Sequence, residues 1–153
     1  MRYRKVAVGG TFSFFHPGHR HLLRYALELG ETVIVGITSD EFANSLGKQH
    51  PIEPYEERAL RVLRYCLRKA KVGQRVVVLP IDDAGGPASN DPSVEAIIAT
   101  EETAIRAIEV SLNRVQLGLK PATVEVVEHV LGVDGRPISS TRLWHSFASA
   151  QQE

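Results

Sequence analysis

Short apolar runs alternate with amphipathic segments along the chain, and this alternation limits the possible folds more than any other feature. Each apolar run has the length and the β-branched character of one buried strand. We predict strands within KVAVGG (5–10), TVIVGIT (32–38), RVVVLPI (75–81), EAIIAT (95–100) and ATVEVVEHV (122–130). We predict helices at His19–Leu29, from Ser39 and Asp40 to about Leu46, at Tyr55–Ala70, at Glu101–Leu117 and at Ser139–Ala150. Such alternation is typical of a parallel sheet with helices on both faces.

The predicted fold is therefore α/β, a doubly wound parallel sheet of five strands in the order 3-2-1-4-5. The strand order then reverses between the first and fourth strands. In open α/β sheets, ligands bind beyond the carboxyl ends of the strands at such a reversal. The loop that follows the first strand, from Val8 to His19, lies at this position. The fold by itself thus predicts a binding site in this loop.

Two of the predicted helices carry apolar residues at helical spacing. In the helix at 101–117 these residues are Ala104, Ile105, Ile108, Leu112 and Val115. In the helix at 55–70 they are Leu60, Leu63, Cys66, Leu67 and Ala70. Such a stripe normally faces the core. Cys66 is the chain's one cysteine, and we interpret it as a buried core thiol because it lies in this stripe.

Length and charge exclude several classes of protein. A chain of 153 residues suits one domain, 1–153, with a single core. Lys and Arg number 18, as do Asp and Glu, so the chain has no overall field to attract nucleic acid or an anionic membrane. No apolar run approaches the roughly 20 residues that span a bilayer. The basic start leads directly into a strand and Gly9, which does not resemble a signal peptide. We expect a cytoplasmic protein.

The stretch VGGTFSFFHPGHRHLL (8–23) brings together groups that can donate hydrogen bonds to an anion. Gly9 and Gly10 would let the backbone turn sharply and let a ligand approach the main chain. Thr11 adds a hydroxyl, and His16 and His19 fall near the start of a helix, where free N–H groups favour negative charge. A phosphate or polyphosphate is the ligand that could accept hydrogen bonds from all of these groups at once. A zinc site is the alternative, but no cysteine or acidic cluster lies nearby in the sequence to complete four ligands.

Two motifs resemble the signatures of a known superfamily. GGTFSFFHPGH (9–19) is similar to the GTFDxxHxGH signature of the nucleotidylyltransferases, and ISSTR (138–142) is similar to their second signature near the C-terminus. The superfamily has a Rossmann-like domain. The segments GITSDE (36–41), PYEERALRVLRY (54–65), TEET (100–103) and GLKP (118–121) resemble the archaeal type of phosphopantetheine adenylyltransferase. One position departs from the pattern, because Ser13 stands where the signature has Asp.

The resemblance implies attack by the phosphate of 4′-phosphopantetheine on the α-phosphorus of ATP, with Mg²⁺ carried largely by the phosphates of ATP. It implies that Thr11 orients the attacking phosphate, that His19 stabilises charge at the α-phosphate, and that His16 contacts the triphosphate. Ser139, Ser140 and Thr141 would bind the β- and γ-phosphates, and Arg142 would add a fixed positive charge. Lys48 would face the phosphate of the acceptor. The archaeal type is often monomeric, so a monomer is expected.

Three alternatives remain open at this stage. The chain could be a cytidylyltransferase, or another adenylyltransferase that acts on a different small phosphate ester. It could instead bind a nucleotide with impaired turnover, because Ser13 cannot supply the negative charge of the family's Asp. A flavodoxin-like binding module would share the fold, but it would not explain the segment from Ile138 to Arg142. A product analysis with ATP and CTP separates these possibilities.

Overall fold

Five parallel strands form one sheet in the order β3-β2-β1-β4-β5, which confirms the predicted topology. The computed structural model describes residues 1–47 and 50–128. The strands are β1 (Tyr3–Gly10), β2 (Gly30–Thr38), β3 (Arg75–Ile81), β4 (Ala96–Thr100) and β5 (Thr123–Val127). The strand β5 lies at the edge next to β4, as the imperfect alternation in its sequence suggests. The prediction of one domain over 1–153 extends past the described residues and stays a prediction.

Helices cover both faces of the sheet. They are α1 (Pro17–Leu29), α2 (Asp40–Ser45), α3 (Tyr55–Lys69), α4 (Pro87–Asn90) and α5 (Ala104–Gln116). One core cluster joins α1 and α3 to Val6, Val8, Val33 and Val35. The other joins α4 and α5 to Ala7, Ile34 and Ile97. Successive residues in the middle of β1 and β2 therefore point into opposite clusters, so the central stretches 6–8 and 33–35 are apolar on both faces.

The helix α1 shows how the sequence sets its own boundaries. His16 is the N-cap and Pro17 occupies the first turn, where its missing N–H costs nothing. The helix therefore begins two residues earlier than the predicted start at His19. Its buried residues are Leu22, Leu23, Ala26 and Leu27. Its end at Gly30 leads directly into β2.

The apolar stripe predicted to face the core in α5 is exposed to solvent, which corrects the sequence interpretation. Ile105 is 74% exposed and Leu112 is 60% exposed. The buried side is formed by Ala107, Val110, Ser111 and Arg114. The guanidinium of Arg114 donates to the backbone oxygens of Ala88, Asp91, Val94 and Lys120. Buried carbonyls need donors, and this requirement sets the rotation of the helix.

The helix α3 also turns a different side to the core than its apolar stripe predicts, because it too buries an arginine. Its buried residues are Arg58, Val62, Tyr65 and Cys66, whereas Leu60 and Leu67 are exposed. Cys66 is buried as predicted, and burial raises the pKa of its thiol to about 12. Within residues 1–47 and 50–128, no helix has both the length and the apolar character needed to cross a membrane.

Candidate active site

The loop between β1 and α1, residues 11–16, makes its turn with aromatic residues. Phe12 has φ 56° and Phe14 has φ 45°, a region that bulky residues rarely occupy. Gly9 and Gly10, which we expected to make the turn, remain in β1, and neither has a positive φ. Gly10 is favoured for another reason: a Cβ atom there would lie 3.1 Å from the Phe12 ring. This contact is tight, so a side chain at Gly10 would require the ring to shift by a few tenths of an ångström.

Glu53, from the segment before α3, holds this loop. Its Oε2 accepts a hydrogen bond from the Phe14 N–H at 2.9 Å, and its Oε1 lies 3.2 Å from the same nitrogen. Arg61 Nη1 donates to Oε2 at 2.9 Å. Phe12 is buried in the core cluster of α1 and α3. These contacts offset the backbone strain, so the rest of the fold holds the loop in its shape.

His16 and His19 cap the N-terminus of α1 together. The Gly18 N–H donates to His16 Nδ1 at 3.0 Å, and the His16 N–H donates to His19 Nδ1 at 3.2 Å. A ring nitrogen accepts a hydrogen bond only when it carries no proton. In each neutral ring the hydrogen is therefore on Nε2, at the opposite edge of the imidazole. Each neutral ring thus carries one N–H donor, the kind of group from which an oxyanion accepts a hydrogen bond.

The two rings are also held in place by packing. Their centroids are 3.7 Å apart, and Phe15 stacks against His19 with centroids 5.7 Å apart. Burial, reinforced by the charge of Arg20, lowers the pKa of His16 to about 4. His16 is therefore neutral at physiological pH and remains able to accept the cap hydrogen bond. A neutral donor binds a phosphate oxygen without adding charge.

Thr11 belongs to a polar cluster that the sequence interpretation missed. Thr38, at the end of β2, donates from Oγ1 to Thr11 Oγ1 at 3.2 Å. Arg58 of α3 is fully buried and donates from Nη1 to Thr11 O at 2.9 Å and to Thr38 Oγ1 at 3.2 Å. In the sequence, Arg58 differs little from Arg61, three residues later on the same helix, yet Arg58 lies on the buried side of α3. Hydropathy alone places such a residue on the solvent side.

A cavity of about 420 Å³ opens at the carboxyl ends of β1, β2 and β4. Its lining includes Gly9, Gly10, Thr11 and Thr38, with Phe42 and Thr103 farther out. Small and aliphatic residues of the sheet, including Ile34, Gly36 and Ile97, form the floor. Neither histidine of the pair is among the described lining residues of the cavity. The volume suits a small organic ligand.

The remaining predicted site residues lie outside the described part of the chain. These are Lys48, Ser139, Ser140, Thr141 and Arg142, and the convergence of 138–142 with the β1–α1 loop stays a prediction. Among residues 1–47 and 50–128, no group of three or more His, Cys, Asp or Glu could hold a metal ion. The zinc interpretation therefore gains no support from the part of the chain that the structure describes.

The chain is similar in sequence to a known family and to several named proteins. Residues 7–145 match the cytidylyltransferase-like family. A phosphopantetheine adenylyltransferase of Methanopyrus kandleri is 42% identical over 142 residues, which cover 93% of this chain and 89% of that protein. Another, from Methanothermobacter thermautotrophicus, is also 42% identical over 142 residues and is covered over 84% of its length.

Among the solved structures that are similar to this chain is a protein of unknown function from Archaeoglobus fulgidus. It superimposes with a TM-score of 0.72 at 29% identity, over 88% of this chain and 99% of that chain. The match with this structure supports the fold, and the matches with the two adenylyltransferases extend over most of both sequences. The chain therefore belongs to the cytidylyltransferase-like family, among the phosphopantetheine adenylyltransferases.

Proposed function

We propose that this protein transfers an adenylyl group from ATP to the phosphate of 4′-phosphopantetheine, giving dephospho-coenzyme A and pyrophosphate. One observation carries the proposal: two histidine rings cap the helix that follows β1, and Thr11 of the same loop lines a cavity at the reversal of strand order. The names of the relatives from Methanopyrus and Methanothermobacter support the same reaction.

The proposed chemistry is direct in-line attack without a covalent intermediate. The acceptor phosphate is already an anion at neutral pH, so no general base is needed. An oxygen of this phosphate forms a bond to the α-phosphorus of ATP while the bond to the pyrophosphate oxygen breaks. The work of the protein is alignment and stabilisation of charge. His19 would donate to an α-phosphate oxygen, His16 would contact the triphosphate, and Thr11 would orient the attacking phosphate.

The cavity suits the rest of the acceptor. A pantetheine arm is a flexible chain of amides and methylenes, and the cavity combines an aliphatic floor with threonine hydroxyls at its rim. The acceptor phosphate would then lie at Thr11, and the arm would extend towards Phe42 and Thr103. Gly9 and Gly10 allow both substrates to approach the main chain, because neither carries a side chain at the strand end.

Further parts of the proposal concern residues outside the described ones. Lys48 would face the acceptor phosphate, Ser139, Ser140 and Thr141 would bind the β- and γ-phosphates, and Arg142 would add positive charge. Mg²⁺ would be carried by the triphosphate of ATP. We place the reaction in the cytoplasm, with a monomeric protein and no nucleic acid or membrane as partner.

Product analysis tests the proposal. The purified full chain is mixed with ATP, MgCl₂ and 4′-phosphopantetheine, and pyrophosphate and dephospho-coenzyme A are quantified by liquid chromatography. We expect both products in equal amounts, and none when the acceptor is omitted. CTP is the matched control, and it should react much more slowly than ATP. Preferential use of CTP, or release of pyrophosphate without an adenylylated product, would contradict the proposed reaction.

A further inference from the structure

We propose that Thr38 and Arg58 are positioning residues, which together make the Thr11 hydroxyl a hydrogen-bond donor to the acceptor phosphate. The inference rests on the proposed function. It adds to that function an account of how one hydrogen bond to the acceptor is oriented. Neither residue is expected to touch the reacting atoms. They would act through Thr11 only.

The hydrogen bonds from Arg58 to Thr38 and from Thr38 to Thr11 form a relay. Arg58 is its first member and sets the direction of the hydrogen bonds. Its side chain is 0% exposed and donates to several oxygens at the carboxyl ends of the first two strands. Nη1 lies 2.9 Å from Thr11 O, 2.8 Å from Thr38 O and 3.2 Å from Thr38 Oγ1. A guanidinium has hydrogen-bond donors and no acceptor, and it keeps its charge at any physiological pH. Towards Arg58, Thr38 Oγ1 can therefore act only as an acceptor, in the longest of three contacts that share the two hydrogens of Nη1.

Thr38 is the second member of the relay and donates its hydroxyl hydrogen to Thr11. Because its oxygen accepts from Arg58, its own hydrogen is directed to Thr11 Oγ1, 3.2 Å away. Thr11 Oγ1 is thereby an acceptor towards Thr38, and among the described residues its own hydroxyl hydrogen is donated to no protein group. Both threonines line the cavity. The Thr11 hydrogen is thus available to an oxygen of a ligand in that cavity.

The electrostatics favour an anion at the end of this relay. Two other groups receive hydrogen bonds from the Arg58 side chain: Glu53 O at 2.7 Å from Nε, and Asp40 Oδ1 at 3.0 Å from Nη2. Asp40 is the ion-pair partner, and its side chain is 52% exposed, so water screens its charge. The buried positive charge is therefore only partly balanced, and successive hydrogen bonds polarise one another towards the ligand. A phosphate fits this polarity.

The test is a double-mutant cycle on the full chain. Thr38→Val removes the donor to Thr11 while keeping the shape of the side chain. We expect it to lower kcat/KM for 4′-phosphopantetheine about tenfold and to leave KM for ATP within about twofold, since one hydrogen bond to a charged group is affected. Thr38→Ser keeps the hydroxyl and should restore activity. Thr32→Val, the same change at the other end of β2, should leave the kinetic constants unchanged.

The cycle is completed with Thr11→Val. If Thr38 acts through Thr11, adding Thr38→Val to Thr11→Val should lower activity less than about twofold further. If the losses of activity in the two single variants multiply in the double variant, the inference is wrong. It is also wrong if Thr38→Val changes KM for ATP as much as it changes kcat/KM for 4′-phosphopantetheine. Thermal unfolding is measured for every variant, and Thr38→Ala replaces Thr38→Val if the valine variant does not fold.

Failure of the proposed function gives a different result. If the wild-type protein releases no pyrophosphate, the proposed reaction is wrong, and the same cycle is run on calorimetric affinity for 4′-phosphopantetheine. Thr38→Val should then weaken acceptor binding in the Thr11 background and not in the Thr11→Val background. Unchanged affinity in the first case would overturn the inference. A wild-type protein that binds neither ATP nor the acceptor would overturn both proposals.

Discussion

The imidazole rings of His16 and His19 stack with their centroids 3.7 Å apart and their planes inclined by 23°. Each ring also accepts a backbone hydrogen bond at Nδ1, so the two residues cap α1. One pair of side chains thus satisfies backbone N–H groups at the start of the helix, and in the proposed reaction the same pair would also donate to the phosphates of ATP.

Removing the His19 donor should slow turnover more than it weakens ATP binding. A group that acts on charge in the transition state affects kcat, and the loss of one such donor typically costs about 10²–10³ in rate. We expect this loss for His19→Ala and for His19→Asn, whose side-chain oxygen can still accept from the His16 N–H. Steady-state kinetics and ATP titration calorimetry provide the measurement. Near-normal kcat in His19→Asn would remove His19 from its assigned role.

His16 should make the folded protein less stable in mild acid. Its pKa is about 4 in the folded state against an ordinary value of 6.5, so between these values the unfolded chain binds a proton that the folded chain does not. The contribution of neutral His16 is therefore present above pH 6.5 and is lost as the pH falls towards 4.

His16→Asn isolates this effect, because Asn can cap the helix and does not titrate. Thermal midpoints are measured from pH 7.5 to pH 4 for both proteins. The wild type should lose stability relative to His16→Asn as the pH falls through this window. A constant difference between the two proteins would show that His16 does not titrate with a lowered pKa.

Glu53 should matter more for the β1–α1 loop than its ion pair with Arg61 does. Glu53→Ala leaves the Phe14 N–H without its acceptor next to two residues with positive φ, and it should lower the free energy of unfolding by about 1–3 kcal/mol. Arg61→Ala removes only a partly exposed ion pair and should cost less than about 1 kcal/mol. Urea unfolding of both variants provides the comparison. Equal losses would indicate that the ion pair, and not the backbone hydrogen bond, holds the loop.

Restoring the family residue at position 13 should have a small effect on chemistry and a larger one on stability. We interpret Ser13 as serving the shape of the loop, so Ser13→Asp should change kcat less than about tenfold and should leave the shape of the Mg²⁺ dependence unchanged. Ser13 is buried, so a carboxylate there should lower the thermal midpoint. Kinetics and thermal unfolding test both expectations. An inert wild type that gains adenylyl transfer from Ser13→Asp would favour the nucleotide-binding alternative.

Much of the fold follows from local pattern. The β-branched runs of β1, β2 and β3 are long enough to be buried strands, and right-handed crossovers leave few orders for five parallel strands. The same reasoning placed the site after β1, because the strand order reverses between β1 and β4. One short stretch supplies five of the predicted site residues, which are Gly9, Gly10, Thr11, His16 and His19, and their role in binding stays a prediction.

The rotation of the helices and the shape of the loop were decided by the tertiary structure. Arg58 and Arg114 are buried because backbone oxygens from other segments need donors, whereas Ile105 and Leu112 are left outside. Periodicity reports hydrophobicity and carries no information about which buried carbonyls lack a partner. Phe12 and Phe14 make a turn expected of glycine because Glu53, distant in sequence, holds the backbone there.

Thr38 lies next to Thr11 for a related reason. It is distant from Thr11 in the sequence, and only the parallel pairing of β1 with β2 brings the two strand ends together. The sequence by itself determined which residue types could bind a phosphate and at which edge of the sheet they would lie. The direction of their hydrogen bonds was decided by contacts among segments far apart in the chain, because a donor or acceptor acquires its role only from the partner that packs against it.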